Sequence, residues 1–276
     1  FFANKAAVAG LAILGLMLAF AFFGNLLAQW SMEEIDWSML GNVPAVGGPS
    51  LENGHWFGVD ETGRDLYART VVGTRISLAV GVVGATISVL VGTIWGATAG
   101  YLGGRADQVM MRIVDILIAF PYMFVLILLM VVFNRSVVML FVGVGLISWL
   151  DMSRIVRGQT LSLKNREFVE AAIATGVRTP VIIARHIVPN LLGVVMVYAT
   201  LQIPTLIIFE RFVSFLGLGV QEPSTSLGAL INGGAANLRN DTPWMLGFPL
   251  LFFVTLLFAF FFLGDGLRDA LDPKDR

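Results

Sequence analysis

The sequence predicts an all-α integral membrane protein with six transmembrane helices, and three observations predict it. Of 276 residues, 57% are hydrophobic and 13% charged, and the mean hydropathy is +0.81, far from the balance of a soluble domain. No charged residue occurs in 6–32, 76–104, 116–134, 136–150, 187–209 or 242–264. Crossing a hydrocarbon core takes about 20 apolar residues as helix, so five runs suffice alone and 136–150 must borrow flanking residues. Lipid cannot satisfy open backbone groups, which leaves helices or a closed barrel. These unbroken runs lack the alternation of a barrel strand.

The first run, within 1–28, is long, lacks a small-residue cleavage pattern and is followed by further spans, so it reads as a retained helix rather than a secretory signal. The chain opens at Phe1 rather than Met, which leaves room for a further N-terminal piece. Residues 29–74 contain Pro44, Pro49 and the pair Gly47-Gly48 and read as an ordered cap on the outer membrane surface. Residues 75–265 then hold five spans and a charged loop at 155–190, and 266–276 form a tail. The segment 217–241, rich in Gly, Ser and Asn, is expected to fold back as a gate.

Orientation follows from Lys and Arg when six spans alternate sides. With the N-terminus inside, inner segments carry 12 of the 18, Lys274 and Arg276 among them, and the outer ones carry Arg64, Arg69, Arg75, Arg135, Arg211 and Arg239. Both termini are therefore expected to be cytoplasmic. The net charge of −1 carries no partner information, and the absence of cysteine excludes disulfides, thiolate metal sites and a cysteine nucleophile.

Within the second span Gly84, Ser88, Gly92, Gly96, Gly100 and Gly104 recur at every fourth position, a smooth stripe another helix can approach closely. The partner is either a helix of this chain or a second subunit. Pro121 and Pro204 are expected to kink later spans. Glu210, near membrane depth, costs about 3 kcal/mol unless paired or facing water; it and Pro204 are candidates for a gate or cavity, with an anchor at the interface as the plainer role for Glu210. Asp115 and Asp151 read as helix-end charges on the inner side.

The charged loop has the spacing of two short helices. Asn165 is placed to cap the first, Glu167 lies in its first turn, and Gly176 is placed to end it in a left-handed turn. Thr179 and Pro180 then start a second helix that should run until Pro189 approaches. Ala171, Ala172 and Ala174 make the first helix thin enough for a groove on another protein, with Phe168 and Val169 as apolar anchors. By itself such a loop is either a connector or a docking element.

Glu170-Ala171-Ala172, Gly176 and, thirteen residues later, Pro189 resemble the cytoplasmic signature of permease subunits of binding-protein-dependent ATP-binding-cassette (ABC) importers. Phe57-Gly58-Val59-Asp60, Gly63-Arg64-Asp65, Arg75-Ile76-Ser77-Leu78, Ala119-Phe120-Pro121, Arg185-His186-Ile187-Val188-Pro189-Asn190 and Ser214-Phe215-Leu216-Gly217-Leu218-Gly219 are similar to the peptide and nickel branch. Trp149-Leu150-Asp151-Met152 and the tail from Gly264 to Arg276 most resemble the C-type permease subunits of bacterial oligopeptide importers. His186, Val188, Arg211 and Leu227 depart from the usual pattern.

The resemblance implies the type I importer permease fold in a bacterial inner membrane. It implies a homologous second permease subunit, two ABC ATPase subunits, an external peptide-binding protein and a peptide substrate. Phe168, Val169, Glu170, Ala171, Ala172, Gly176 and Pro189 would form the coupling element. None of Lys5, Lys164 and Lys274 follows a glycine, so there is no Gly-x-x-x-x-Gly-Lys loop; ATP and Mg would sit on the partner ATPases, and this chain is expected to hold no metal, cofactor or nucleic acid. His55 outside and His186 inside cannot share a catalytic site. Two other classes stand against this reading: a self-contained secondary transporter using Asp115, Asp151 and Glu210, which an absent inverted repeat disfavours, and a membrane scaffold that carries no solute.

Overall fold

The computed structural model describes residues 4–133 and 136–271. Arg135, Lys274, Arg276 and the last five residues of the expected tail lie outside them. Five helices are long and apolar enough to cross a membrane, and six if one bent pair counts as a span.

Helix α1, Lys5–Phe23, starts where the Asn4 side chain accepts from the amides of Ala6 and Ala7 at 3.0 and 3.2 Å, a standard cap. It lies against the last helix so closely that a Cβ on Gly10 would stand 2.8 Å from Phe262 Cβ. The following segment is an ordered cap with one short helix, α2, Val43–Val46. Its backbone closes on itself, Asp36 N donating to Gly63 O at 2.8 Å and Val59 N to Gly47 O at 2.9 Å. Trp244 Nε1 donates to Val59 O at 3.1 Å, and the rings of Phe57 and Phe248 stack at 4.2 Å.

Helix α3, Leu66–Leu102, has 37 residues, about 55 Å at 1.5 Å per residue, so it projects beyond a hydrocarbon core of roughly 30 Å. It begins ten residues before the charge-free run at Ile76, because Asp65 caps it by accepting from Ala68 N at 2.7 Å. Residues 66–74, expected to belong to the outer cap, are thus helical. Their one charge is answered, as Arg69 Nη1 meets Asp60 at 2.9 Å; just beyond them Arg75 donates through Nε and Nη2 to Ala21 O at 2.9 and 2.7 Å.

Gly103 and Gly104, at φ +66° and +54°, turn the chain into α4, Gly104–Ala119, which is followed by α5, Tyr122–Val132. The two are bent by 78°. Pro121 forces Phe120 out of helical conformation, to φ −75° and ψ 130°. The expected kink at Pro121 is thus a full break of the span at 116–134, and the first residues of that run belong to a helix that also carries Arg105, Asp107, Arg112 and Asp115.

Helix α6, Val137–Leu163, extends the short run 136–150 by thirteen residues, as a full span requires. Helix α7, Glu167–Ala174, follows. Then α8, Thr179–Ile182, a π-helical turn at Ile183–Ile187 and α9, Val188–Phe215, run on without a stop. The second short helix does not end at Pro189; the wider π turn accommodates a residue with no amide hydrogen, and the long helix simply continues. The fold closes with α10, Leu227–Asn237, capped by Ser226, and α11, Pro243–Leu271. Asn4 Nδ2 donates to Asp269 Oδ2 at 2.8 Å, so the two described chain ends share one end of the bundle.

Candidate functional site

Helix α7 stands at that same end. Its cap is Arg166, in extended conformation without a side-chain bond, rather than Asn165. Glu167 and Glu170 occupy the first turn, complementing the positive helix start. The helix ends as expected: Gly176 has φ +77°, its amide donates to Ile173 O at 2.9 Å, and Val177 N donates to Ala172 O at 3.0 Å. These two bonds are the Schellman pattern, which needs a left-handed residue at that position.

The helix divides its faces sharply. Val169 is 0% exposed and Ala172 6%, packed with Met152, Val156, Ile182 and Ile187. Val169 is therefore an anchor into this chain's own core rather than into a partner. Phe168, Glu170, Ala171, Ile173 and Gly176 are exposed, and a Cβ on Gly176 would meet nothing within 4 Å. Pro189 is also exposed. What the loop presents outward is a ridge of two apolar side chains, a carboxylate and a bare backbone turn.

The glycine stripe packs inside the chain. A Cβ on Gly92 would stand 2.6 Å from Met152, one on Gly96 2.3 Å from Ser153 O, and one on Gly100 2.8 Å from Thr160, all on α6. Gly84 would meet Leu206 and Val144 at 2.7 and 2.8 Å, while Gly104 has nothing within 4 Å and lies beyond the contact. The stripe locks α3 to α6 and so fixes the helix that leads into α7.

Glu210 is 0% exposed and gathers three hydroxyls. Ser214 Oγ and Ser226 Oγ donate to Oε1 at 2.7 and 2.5 Å, and Ser77 Oγ donates to Oε2 at 3.3 Å. Ser226 is also the cap of α10, accepting from Ala229 N at 3.1 Å, and Ser77 accepts from Leu227 N at 3.2 Å. Gly228 leaves room, since a Cβ there would lie 3.1 Å from Oε2. The carboxylate thus ties α3, α9 and the start of α10 together. Its neighbour Arg211 points elsewhere, 5.6 Å over the Phe253 ring.

Neither Glu210 nor Pro204 lines the cavity beside the α4–α5 bend. Pro204 is buried within a continuous α9, and the expected cavity role passes to its neighbours Gln202 and Thr205. That cavity, about 460 Å³, lies between the α4–α5 bend, α6 and α9. Its wall is mostly apolar, with Phe120, Leu206 and Phe209, and carries Tyr122, Ser148, Asp151 and Gln202 as polar groups. Asp151 is not a helix-end charge; it lies inside α6 and is exposed to this space. Asp115, by contrast, pairs with Arg154 at 2.6 Å. Sequence reasoning missed the cavity residues, although one signal existed: Gln202 is the sole amide side chain between Asn190 and Phe209.

A broken third span, a short helix between two long ones and beside them a mostly apolar cavity with a few polar groups fit the membrane-embedded subunit of an ABC importer. The chain belongs to the family of binding-protein-dependent transport system inner membrane components, whose model matches residues 88–276. Residues 1–44 match the N-terminal transmembrane domain of oligopeptide transport permease C. The chain is 54% identical over 276 residues to the Oligopeptide transport system permease protein OppC of Escherichia coli (strain K12), covering 100% of this chain and 89% of that one. It is 53% identical to the protein of that name from Haemophilus influenzae, covering 100% and 87%. A Dipeptide transport system permease protein DppC of Bacillus subtilis is 44% identical over 273 residues, covering 99% and 83%. A chain of the inward-facing MetNI methionine ABC transporter shares the fold, with TM-score 0.60 and 20% identity over 72% of this chain and 94% of that one. The family is one of membrane transport components, and this chain is an integral membrane member of it.

Proposed function

We propose that this chain forms one half of the translocation pathway of an ATP-driven oligopeptide importer in a bacterial inner membrane. The observation that carries the reading is identity above 50% along the whole chain to oligopeptide permeases. On this reading both termini and α7 are cytoplasmic, in accord with the excess of Lys and Arg there. A homologous second permease subunit completes the pore, and an external peptide-binding protein delivers peptide to the cap side.

The exposed ridge of Phe168, Glu170, Ala171 and Gly176 seats in a cleft of one of two ATPase subunits, which hold ATP and Mg. Val169 and Ala172 supply the other half of the coupling: their burial against α6 and α9 makes α7 part of the bundle's rigid base, so its displacement moves both long helices. Glu210, through Ser226, holds α10 as a gate over the outer side. Uptake by cells lacking the chain, with and without its restored gene, tests the substrate. Selective loss and rescue of labelled tripeptide to pentapeptide supports the reading; loss of dipeptide or nickel ion alone assigns the chain to a related importer.

A further inference from the structure

We propose that Asp151, with Gln202 and Tyr122, takes the free N-terminal ammonium of the peptide as it passes this subunit. The inference rests on the oligopeptide reading and deepens it. Asp151 is fourteen residues beyond Val137, the first residue of α6, a rise of about 21 Å, and Leu163 lies about 18 Å further on. The carboxylate therefore stands at hydrocarbon depth, where a charge persists only if it faces water or a partner. It is the one charged group among the described residues lining the cavity; no Lys, Arg or His is on that wall.

Two further residues of the same wall, Gln202 and Tyr122, carry oxygens that can accept. Gln202 Nε2 donates to Ser148 O at 2.7 Å, which orients the amide and leaves Oε1 as its acceptor. That Oε1 and the Tyr122 hydroxyl are buried without a hydrogen-bond partner among the described residues. The Tyr122 ring is held against Phe209 at 4.3 Å. A buried unpaired acceptor is unfavourable until a donor arrives. An alkylammonium brings three donors, no acceptor and one positive charge, which complements a carboxylate, an amide oxygen and a phenol oxygen. A hard divalent cation would find a single carboxylate, too few anionic ligands to replace its waters. The apolar wall of Phe120, Leu206 and Phe209 would tolerate varied side chains, whereas the ammonium is the same in every linear peptide.

The test uses the complete importer, with its second permease, ATPase and binding-protein subunits, in proteoliposomes. Two labelled tripeptides are compared, identical except that one is desamino at its N-terminus. In Asp151→Asn, uptake of the free-amine peptide should fall about tenfold or more, the range for a lost charge-assisted hydrogen bond, and desamino uptake should not change. ATP hydrolysis stimulated by the binding protein should persist, and Asp151→Glu should restore most of the free-amine uptake. Unchanged free-amine uptake overturns the assignment. So does an equal loss of both peptides together with ATP hydrolysis, which would make Asp151 a contact of the second permease subunit. A wild-type importer that moves neither peptide, while still moving dipeptide or nickel ion, removes the oligopeptide reading itself.

Discussion

Arg157 on α6 grips Asp107 on α4 with two nitrogens, Nε to Oδ1 at 2.5 Å and Nη2 to Oδ2 at 2.6 Å. This forked pair fixes the amphipathic α4, and with it the bend at Pro121 that shapes one wall of the cavity. Lysine cannot reproduce the fork. Arg157→Ala should lower stability in detergent by roughly 1–2 kcal/mol, since the pair is partly solvated, and Arg157→Lys should recover less than half. Thermal unfolding of the purified assembly checks both, and equal stability of all three would reduce the pair to a surface contact.

Gly96→Val places methyl groups where Ser153 O stands 2.3 Å from the ideal Cβ, and the obstacle is backbone that cannot swing away. Helices α3 and α6 must separate, at a cost of about 1–3 kcal/mol or more. Gly15→Ala, with nothing within 4 Å of its Cβ, should be neutral or slightly stabilising through helix propensity. Expression yield and melting temperature should split the two variants clearly; similar values would show that the stripe is not a close contact.

Gly176→Trp combines a φ of +77°, which L-residues rarely adopt, with bulk on the proposed docking ridge. ATP-driven uptake should be abolished while membrane insertion remains. Gly176→Ala carries the backbone strain, about 1 kcal/mol, without the bulk, and should retain part of the uptake. Normal uptake by the tryptophan variant would remove the coupling role from this turn. Glu170→Ala should weaken ATPase association more mildly, read by co-purification.

Glu210→Ala leaves the hydroxyls of Ser77, Ser214 and Ser226 without their shared acceptor, costing about 1–3 kcal/mol. Its effect should concentrate on α10, whose first turn depends on Ser226 and Ser77. Hydrogen exchange at Leu227 and Ala229 should accelerate well before that of α3. Uniform acceleration across the bundle would make the carboxylate a general core element instead.

Glu222, in the loop before α10, meets Arg64 and Arg69, the latter at 3.1 Å. Burial raises its carboxyl's pKa, but the bonds and charges of Arg64 and Arg69 outweigh that and hold it below the ordinary 4.5. A depressed folded value means stability that is present above the unfolded value and is lost as pH falls through the folded one. The loop should therefore loosen below about pH 4.5, modestly, because the Glu222 side chain is more than half exposed. Exchange of residues 218–226 against pH reads this, and Glu222→Gln should flatten the response.

Much of this protein was written locally. Charge-free runs announced the spans, the shortfall of 136–150 announced that α6 must lengthen, and a glycine after an alanine-rich turn announced the Schellman end of α7. Those features depend on neighbouring residues, so composition and short spacing determine them. The tertiary structure decided what each face meets. Only packing shows that the glycine stripe serves α6, that Val169 points into the chain's own core, and that Asp151 opens onto a cavity. Glu210 states the reason most plainly: its partner Ser77 is 133 positions away, and no periodicity along a chain specifies which distant hydroxyl will arrive beside a buried carboxylate.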